Sequence, residues 1–297
     1  VISAPVARVA SLATPALAHL SDLGGLEKVV AVDMADYVYN ETVRRGISQG
    51  SITEVGSGAE LNLERLIATG TDLIVYSAIG PDDPVRRRAA SAGIPVLVMA
   101  DWREQSPLGR AEWIKLFGLL LDAEDTALEL FEEREERYRE LQELTRQIPE
   151  SERPTILANA PWQGSWPLPA GESYMARLFE AAGGDYLWSE REGTGSLFLD
   201  LESVLQRGSG AEYWINLNFG WRERADAVEA DPRLGQFEAF EANRMFHTHR
   251  RVRASGANDF WESGAGRPDL VLADLIRILH PDLLPGHELV YYQQLDP

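Results

Sequence analysis

The chain of 297 residues contains no cysteine. Disulfides, thiolate metal sites and cysteine nucleophiles are therefore excluded. Lysine is nearly missing: only Lys28 and Lys115 occur, and the remaining basic side chains are arginines apart from five histidines. There is no run of about 18 apolar residues, so no membrane-spanning helix is predicted. Positive charge is scarce overall. The 28 lysines and arginines against 47 acidic residues give a formal net charge of −19. Such a field repels nucleic acid and anionic lipid, and neither is an expected partner. Nor is there a glycine-rich turn after the first predicted strand, where the chain reads Ala13-Thr14-Pro15-Ala16, and the one Gly-x-Ser-x-Gly string, Gly46-Ile47-Ser48-Gln49-Gly50, does not directly follow a predicted strand as a nucleophile elbow would. Dinucleotide chemistry lacks its glycine-rich turn and serine-hydrolase chemistry the strand that would present its serine, so an enzyme is not expected, and no cofactor is expected either.

What is present reads as an alternating βα pattern. Short β-rich runs fall at 8–12, 28–33, 72–76 and 95–99, and again at 154–159, 212–218 and 244–248. Helical patterns separate them, which is the signature of parallel sheets. Between the two sets, helical spacing predicts one long helix over about 124–148, with Asp122 as its candidate cap. Leu128, Phe131, Tyr138, Leu141 and Leu144 recur along one stripe, and glutamates and arginines crowd the rest. At 1.5 Å per residue such a helix spans roughly 37 Å, enough to bridge two lobes.

The two halves echo each other. The first runs from His19 to Gly24-Gly25, then through Asn62-Leu63-Glu64 into a strand opening at Asp72. The second runs from Leu178 to Gly183-Gly184, then through Asp200-Leu201-Glu202 into a strand opening at Glu212. Each polar-Leu-Glu triplet puts a carboxylate in a first helical turn, where the helix dipole favours it. The predicted architecture is an α/β lobe over 1–121, a bridging helix over 122–149, and a second α/β lobe over 150–297.

These residues resemble a known family. The order of Arg8–Pro15, Asn62–Arg65, Thr71–Val75, Ala92–Val96, the long helix and Asn258–Glu262 is similar to the class III periplasmic substrate-binding proteins of ABC importers, the cobalamin, ferric-siderophore and haem group. The resemblance implies two Rossmann-like lobes bridged by a rigid helix, with a ligand cleft between them. It implies that Glu64 and Glu202 dock onto a dimeric ABC permease in the membrane. It also implies a monomer in the periplasm, or anchored outside the cytoplasm; a start at Val1 fits a chain whose targeting segment has been removed.

The ligand is expected at the loops beyond the carboxyl ends of the strands, and these are rich in aromatics. Tyr37 follows the second strand, and Trp102 and Arg103 follow the strand ending at Met99. Trp162, Trp166 and Trp221 follow strands of the second half, with Phe260 and Trp261 later. Indole and phenol rings offer large, rigid contact area at low entropic cost, which suits a flat, partly apolar chelate. The expected ligand is a ferric siderophore, a corrinoid such as cobalamin, or haem. In the resemblance Trp261 falls on a ligand-contacting loop. His247 and His249 alternate on one predicted strand end, so both imidazoles face one side. They could serve a haem or a metal as ligands, but no bare metal site is expected from a chain with five histidines.

Overall fold

A computed structural model of the chain describes residues 2–57, 60–77 and 84–297. Strands form where short runs of β-branched and other apolar residues occur. The first five are β1 (Val9–Leu12), β2 (Val29–Val32), β3 (Thr53–Glu54), β4 (Leu73–Tyr76) and β5 (Val96–Val98). They pair in the order β3-β2-β1-β4-β5, every pair parallel. A parallel sheet is covered on both faces, so its strands are apolar at nearly every position. Successive side chains then enter opposite cores. Val9, Leu73 and Val75 join Leu17, Leu20 and Phe117 on one side, whereas Ala10, Ala31 and Ile74 join Leu61, Leu66 and Ala89 on the other.

The remaining strands are β6 (Thr155–Ala158), β7 (Trp166–Pro169), β8 (Asp185–Tyr186), β9 (Ser196–Leu199), β10 (Tyr213–Ile215), β11 (Met245–His247) and β12 (Gln293–Gln294). A second sheet has the order β12-β11-β10-β6-β8, parallel apart from the antiparallel β11/β12 pair. β7 and β9 form a separate antiparallel ribbon. The strand expected to reach Asn218 ends at Ile215, because Asn216 takes a left-handed conformation (φ 62°).

The long helix runs over Glu124–Arg146. Its cap is not the expected one. Asp122 is left-handed (φ 60°) and ends the preceding helix Pro107–Leu121, while Ala127 N donates to Ala123 O, which puts Ala123 at the start of the long helix. Two compact units divide the chain. Unit 1 comprises Val1–Arg103, Leu108–Arg134 and Val252–Arg267; unit 2 comprises Glu104–Pro107, Glu135–Arg251 and Pro268–Pro297. The long helix therefore contributes residues to both. This division differs from a single second lobe over 150–297, since Val252–Arg267 belongs with unit 1.

A buried carboxylate fixes the end of the chain to unit 2. Asp274 is wholly buried in the helix Pro268–Leu279. Its carboxylate accepts from the backbone N–H of Val290 (2.8 Å), Tyr291 (2.7 Å) and Tyr292 (3.1 Å), and its Oδ1 lies 2.7 Å from His287 Nε2. This delivers the chain to β12 beside β11. Asp274→Ala strands buried N–H donors, each costing about 1–3 kcal/mol. Urea unfolding should therefore register a loss of roughly 3–5 kcal/mol; a loss below about 1 kcal/mol would show that the carboxylate does not hold the segment.

Candidate functional site

Each loop after a parallel strand leaves its sheet on the same edge, where open α/β folds meet ligands. In unit 1, β2 leads to the helical turn Ala35–Tyr37, and Tyr37 is 57% exposed there. β5 leads to the turn Asp101–Arg103. Beneath it Asp101 forms a buried ion pair with Arg110 (2.8 Å), which anchors the turn and leaves Trp102 and Arg103 outside, the guanidinium 5.8 Å from the indole centroid. The short helix Asp259–Glu262 adds Trp261, exposed, with Phe260 buried edge-on against it at 4.9 Å. Phe260, expected among the exposed rings, is buried instead and supports the rim from inside.

In unit 2, β6 is followed by a tight turn. Trp162 N donates to Ser165 O (2.7 Å) and Ser165 N to Trp162 O (3.1 Å), with Gln163 and Gly164 both at positive φ. Two such central residues make the reversal that suits a two-residue hairpin turn. The turn gives its flanking tryptophans opposite fates. Trp162 is 62% exposed, whereas Trp166 is completely buried. Trp166 Nε1 donates to Ala158 O (3.0 Å), and its ring stacks on Trp214 and meets Phe237 edge-on. Truncating such a buried ring costs about 3–5 kcal/mol, so Trp166 is a core group and not the exposed lining the sequence suggested. Trp221 is corrected likewise: it is buried and T-shaped against Trp214 at 5.6 Å.

The loops after β10 and β11 bring together a cluster that was only partly visible in the sequence. Phe219 is exposed and stacks on His249, with centroids 5.5 Å apart. Arg222 Nη1 donates to Phe219 O (2.9 Å) and lies 2.7 Å from His249 Nδ1. An always-cationic guanidinium can only donate, so His249 Nδ1 accepts and that ring is neutral. His247 lies 4.4 Å from His249 between centroids and is almost entirely buried. Neither of its ring nitrogens has a hydrogen-bond partner among the described residues. Burial pushes the His247 imidazolium down to about 4, helped by Arg222; burial, His247 and Arg222 push His249 down to about 3. Arg222 was missed in the sequence; its only signal there was its place directly after Phe219-Gly220-Trp221. No group of three or more His, Cys, Asp or Glu side chains suited to a metal ion occurs among the described residues.

The two glutamates stand where the triplets put them. Asn62 caps the helix Leu63–Ala68 by accepting from Arg65 N, and Asp200 caps Leu201–Gly208 by accepting from Ser203 N. Glu64 and Glu202 lie exposed in the first turns. Glu202 is ion-paired with Arg233, whose guanidinium also engages Asp231.

Parallel sheets with aromatic and cationic loops at their carboxyl edges define an α/β protein of two units. Residues 9–252 match the family model described as periplasmic binding protein, and the chain belongs to that family. It is 24% identical to an uncharacterized lipoprotein of Methanocaldococcus jannaschii, over 98% of this chain and 69% of that one. Among solved structures it is similar to a periplasmic haem-binding protein from Pseudomonas aeruginosa, with TM-score 0.72 and 16% identity, covering 98% of this chain and 99% of that one. A Helicobacter pylori protein solved with Ni(II) bound gives TM-score 0.71 and 15% identity, covering 97% and 88%. At these identities the structural likeness establishes the fold.

The histidine pair makes a pH prediction. Both imidazoles have folded-state values below the ordinary 6.5, so protons favour the unfolded chain. Stability from the pair is full above about 6.5 and is lost as the pH falls from there through about 4 for His247 and about 3 for His249. In nuclear magnetic resonance spectra both rings should stay neutral at pH about 5. Imidazolium signals from His247 or His249 at that pH would contradict the assigned environment.

Proposed function

We propose that this protein is the solute-capturing component of an ABC importer, that it works outside the cytoplasm, and that its solute is a metal chelate: a ferric siderophore, a corrinoid or haem. It is a carrier and not a catalyst. The observation that carries this reading is the set of exposed rings at the carboxyl edges of both sheets, Tyr37, Trp102 and Trp261 in unit 1 and Trp162 and Phe219 in unit 2. Large rings left in water suit a bulky, flat, partly apolar guest. Arg103 and Arg222 add cations able to meet carboxylate or catecholate oxygens. The matched family and the names of its haem- and nickel-holding relatives support the same reading.

Within that class, the histidine cluster favours haem or another chelate with an open coordination position. Two neutral imidazoles lie side by side, and His247 has nitrogens without a partner among the described residues. Neutral imidazole is the form that ligates a metal.

Haemin, cyanocobalamin and a ferric tris-catecholate should be titrated separately while intrinsic tryptophan emission and the melting temperature are followed. One of them should quench emission and raise the melting temperature by mass action. Trp162→Ala should weaken that binding about tenfold or more, as loss of an exposed aromatic anchor does. Silence from all three chelates would reject the reading.

The partner is a dimeric membrane permease, met by Glu64 and Glu202. Rim carboxylates chiefly set orientation and association rate. Reversing both charges should abolish stimulation of the transporter's ATPase and leave solute affinity unchanged; undiminished stimulation would exclude these two groups.

A further inference from the structure

In unit 1 the segment 252–262 grips the loop that carries Tyr37. Ser255 Oγ donates to Asp36 O (2.7 Å). Arg253 Nε donates to Tyr39 O (2.7 Å), its Nη2 to Glu41 Oε2 (2.8 Å), and its guanidinium lies 4.8 Å from the Tyr39 ring centroid. Glu262, one residue after Trp261 and only 3% exposed, completes the grip: Oε2 accepts from Tyr39 N (2.7 Å) and Oε1 from Asn40 N (2.9 Å). Asn40 in turn caps the helix Glu41–Ser48 through Thr42 N and Val43 N.

Two backbone donors aimed at two oxygens of one side chain require a carboxylate. A glutamine or a protonated acid offers one free acceptor oxygen, and its own hydrogen would face an N–H. We propose that Glu262 is a positioning residue whose ionised carboxylate holds the Tyr37 loop in the unit 1 rim, and whose protonation loosens that loop. The consequence for solute retention rests on the chelate-capture reading; the latch itself does not.

The surroundings balance this carboxylate between its two forms. Burial raises it most, Asp259 raises it further, and the two amides and Arg253 lower it, leaving it at about 7. Arg253 is itself shared with Glu41. The helix Thr14–Asp22 also packs on Asp259–Glu262. Its titratable groups are His19, which burial lowers to about 3 and keeps neutral, and Asp22, which is paired with Arg134. Glu262 thus holds its proton more tightly folded than unfolded. Its contribution to global stability is greatest below about 4.5 and falls as the pH rises through about 7, while local order of the loop runs the other way.

That opposition separates a latch from a merely structural residue. The test follows the Tyr39 and Asn40 amides of the ligand-free protein by nuclear magnetic resonance and hydrogen exchange corrected for intrinsic rates. In the wild type both amide signals should titrate together near pH 7. Their exchange should be about tenfold faster at pH about 6 than at pH about 8, the scale of a hydrogen bond to a charged group. Glu262→Gln should exchange fast at both pH values, lose the titration and melt no lower than the wild type at pH about 8. Arg253→Gln should keep the titration with its midpoint moved upward, which decides the matter even if the glutamine variant fails to fold. Amides that do not titrate in the wild type, a titration that survives Glu262→Gln, or an unmoved midpoint in Arg253→Gln would overturn the proposal.

Discussion

A parallel strand cannot turn straight back, so its chain must leave at the carboxyl end, cross a face of the sheet as helix, and re-enter at the opposite edge. In both units this constraint sends each loop after a parallel strand to one edge. The side chains there differ in chemistry but share an address. Tyr37, Trp102 and Arg103 stand at that edge in unit 1, and Trp162, Phe219 and the histidine pair in unit 2, because the strands before them are parallel. Everything proposed about binding depends on that delivery.

Buried ionic groups then fix what the sheets alone leave loose. Asp101 with Arg110 steadies the turn under Trp102, and Arg134 ties the Gly266 carbonyl and Asp22 within unit 1. Glu262 and Asp274 act differently, because each gathers backbone N–H groups of a distant stretch of chain around one carboxylate. Such groups are costly to bury and costlier to remove once their partners are committed. Their places in the fold are therefore where a late segment rejoins an earlier one.

Periodicity made much of this legible. The seven expected strands are present, and the long helix differs from its expected span by two residues at its end. The β7/β9 ribbon was not legible, because Trp166-Pro167-Leu168-Pro169 carries two prolines, which read as loop and are tolerated only where no ladder donor is needed. The candidate site was half legible. Exposed Tyr37, Trp102 and Trp162 follow from their places after strands, and Trp261, on a short helix, from the family resemblance. The inward turn of Trp166 and Trp221 does not, since one ring is set by a two-residue reversal and the other by packing on Trp214. The return of Val252–Arg267 to unit 1 depends on hydrogen bonds across more than two hundred residues, which no local pattern reports.

Whether the carboxyl edges of the sheets receive a metal chelate can be read from diffraction at the iron absorption edge, using crystals grown with a ferric chelate. An anomalous peak is expected against the edge of unit 2, within reach of Trp162, Phe219 and His249. Iron located on the outer faces of the helices, or at the amino edge of a sheet, would contradict it.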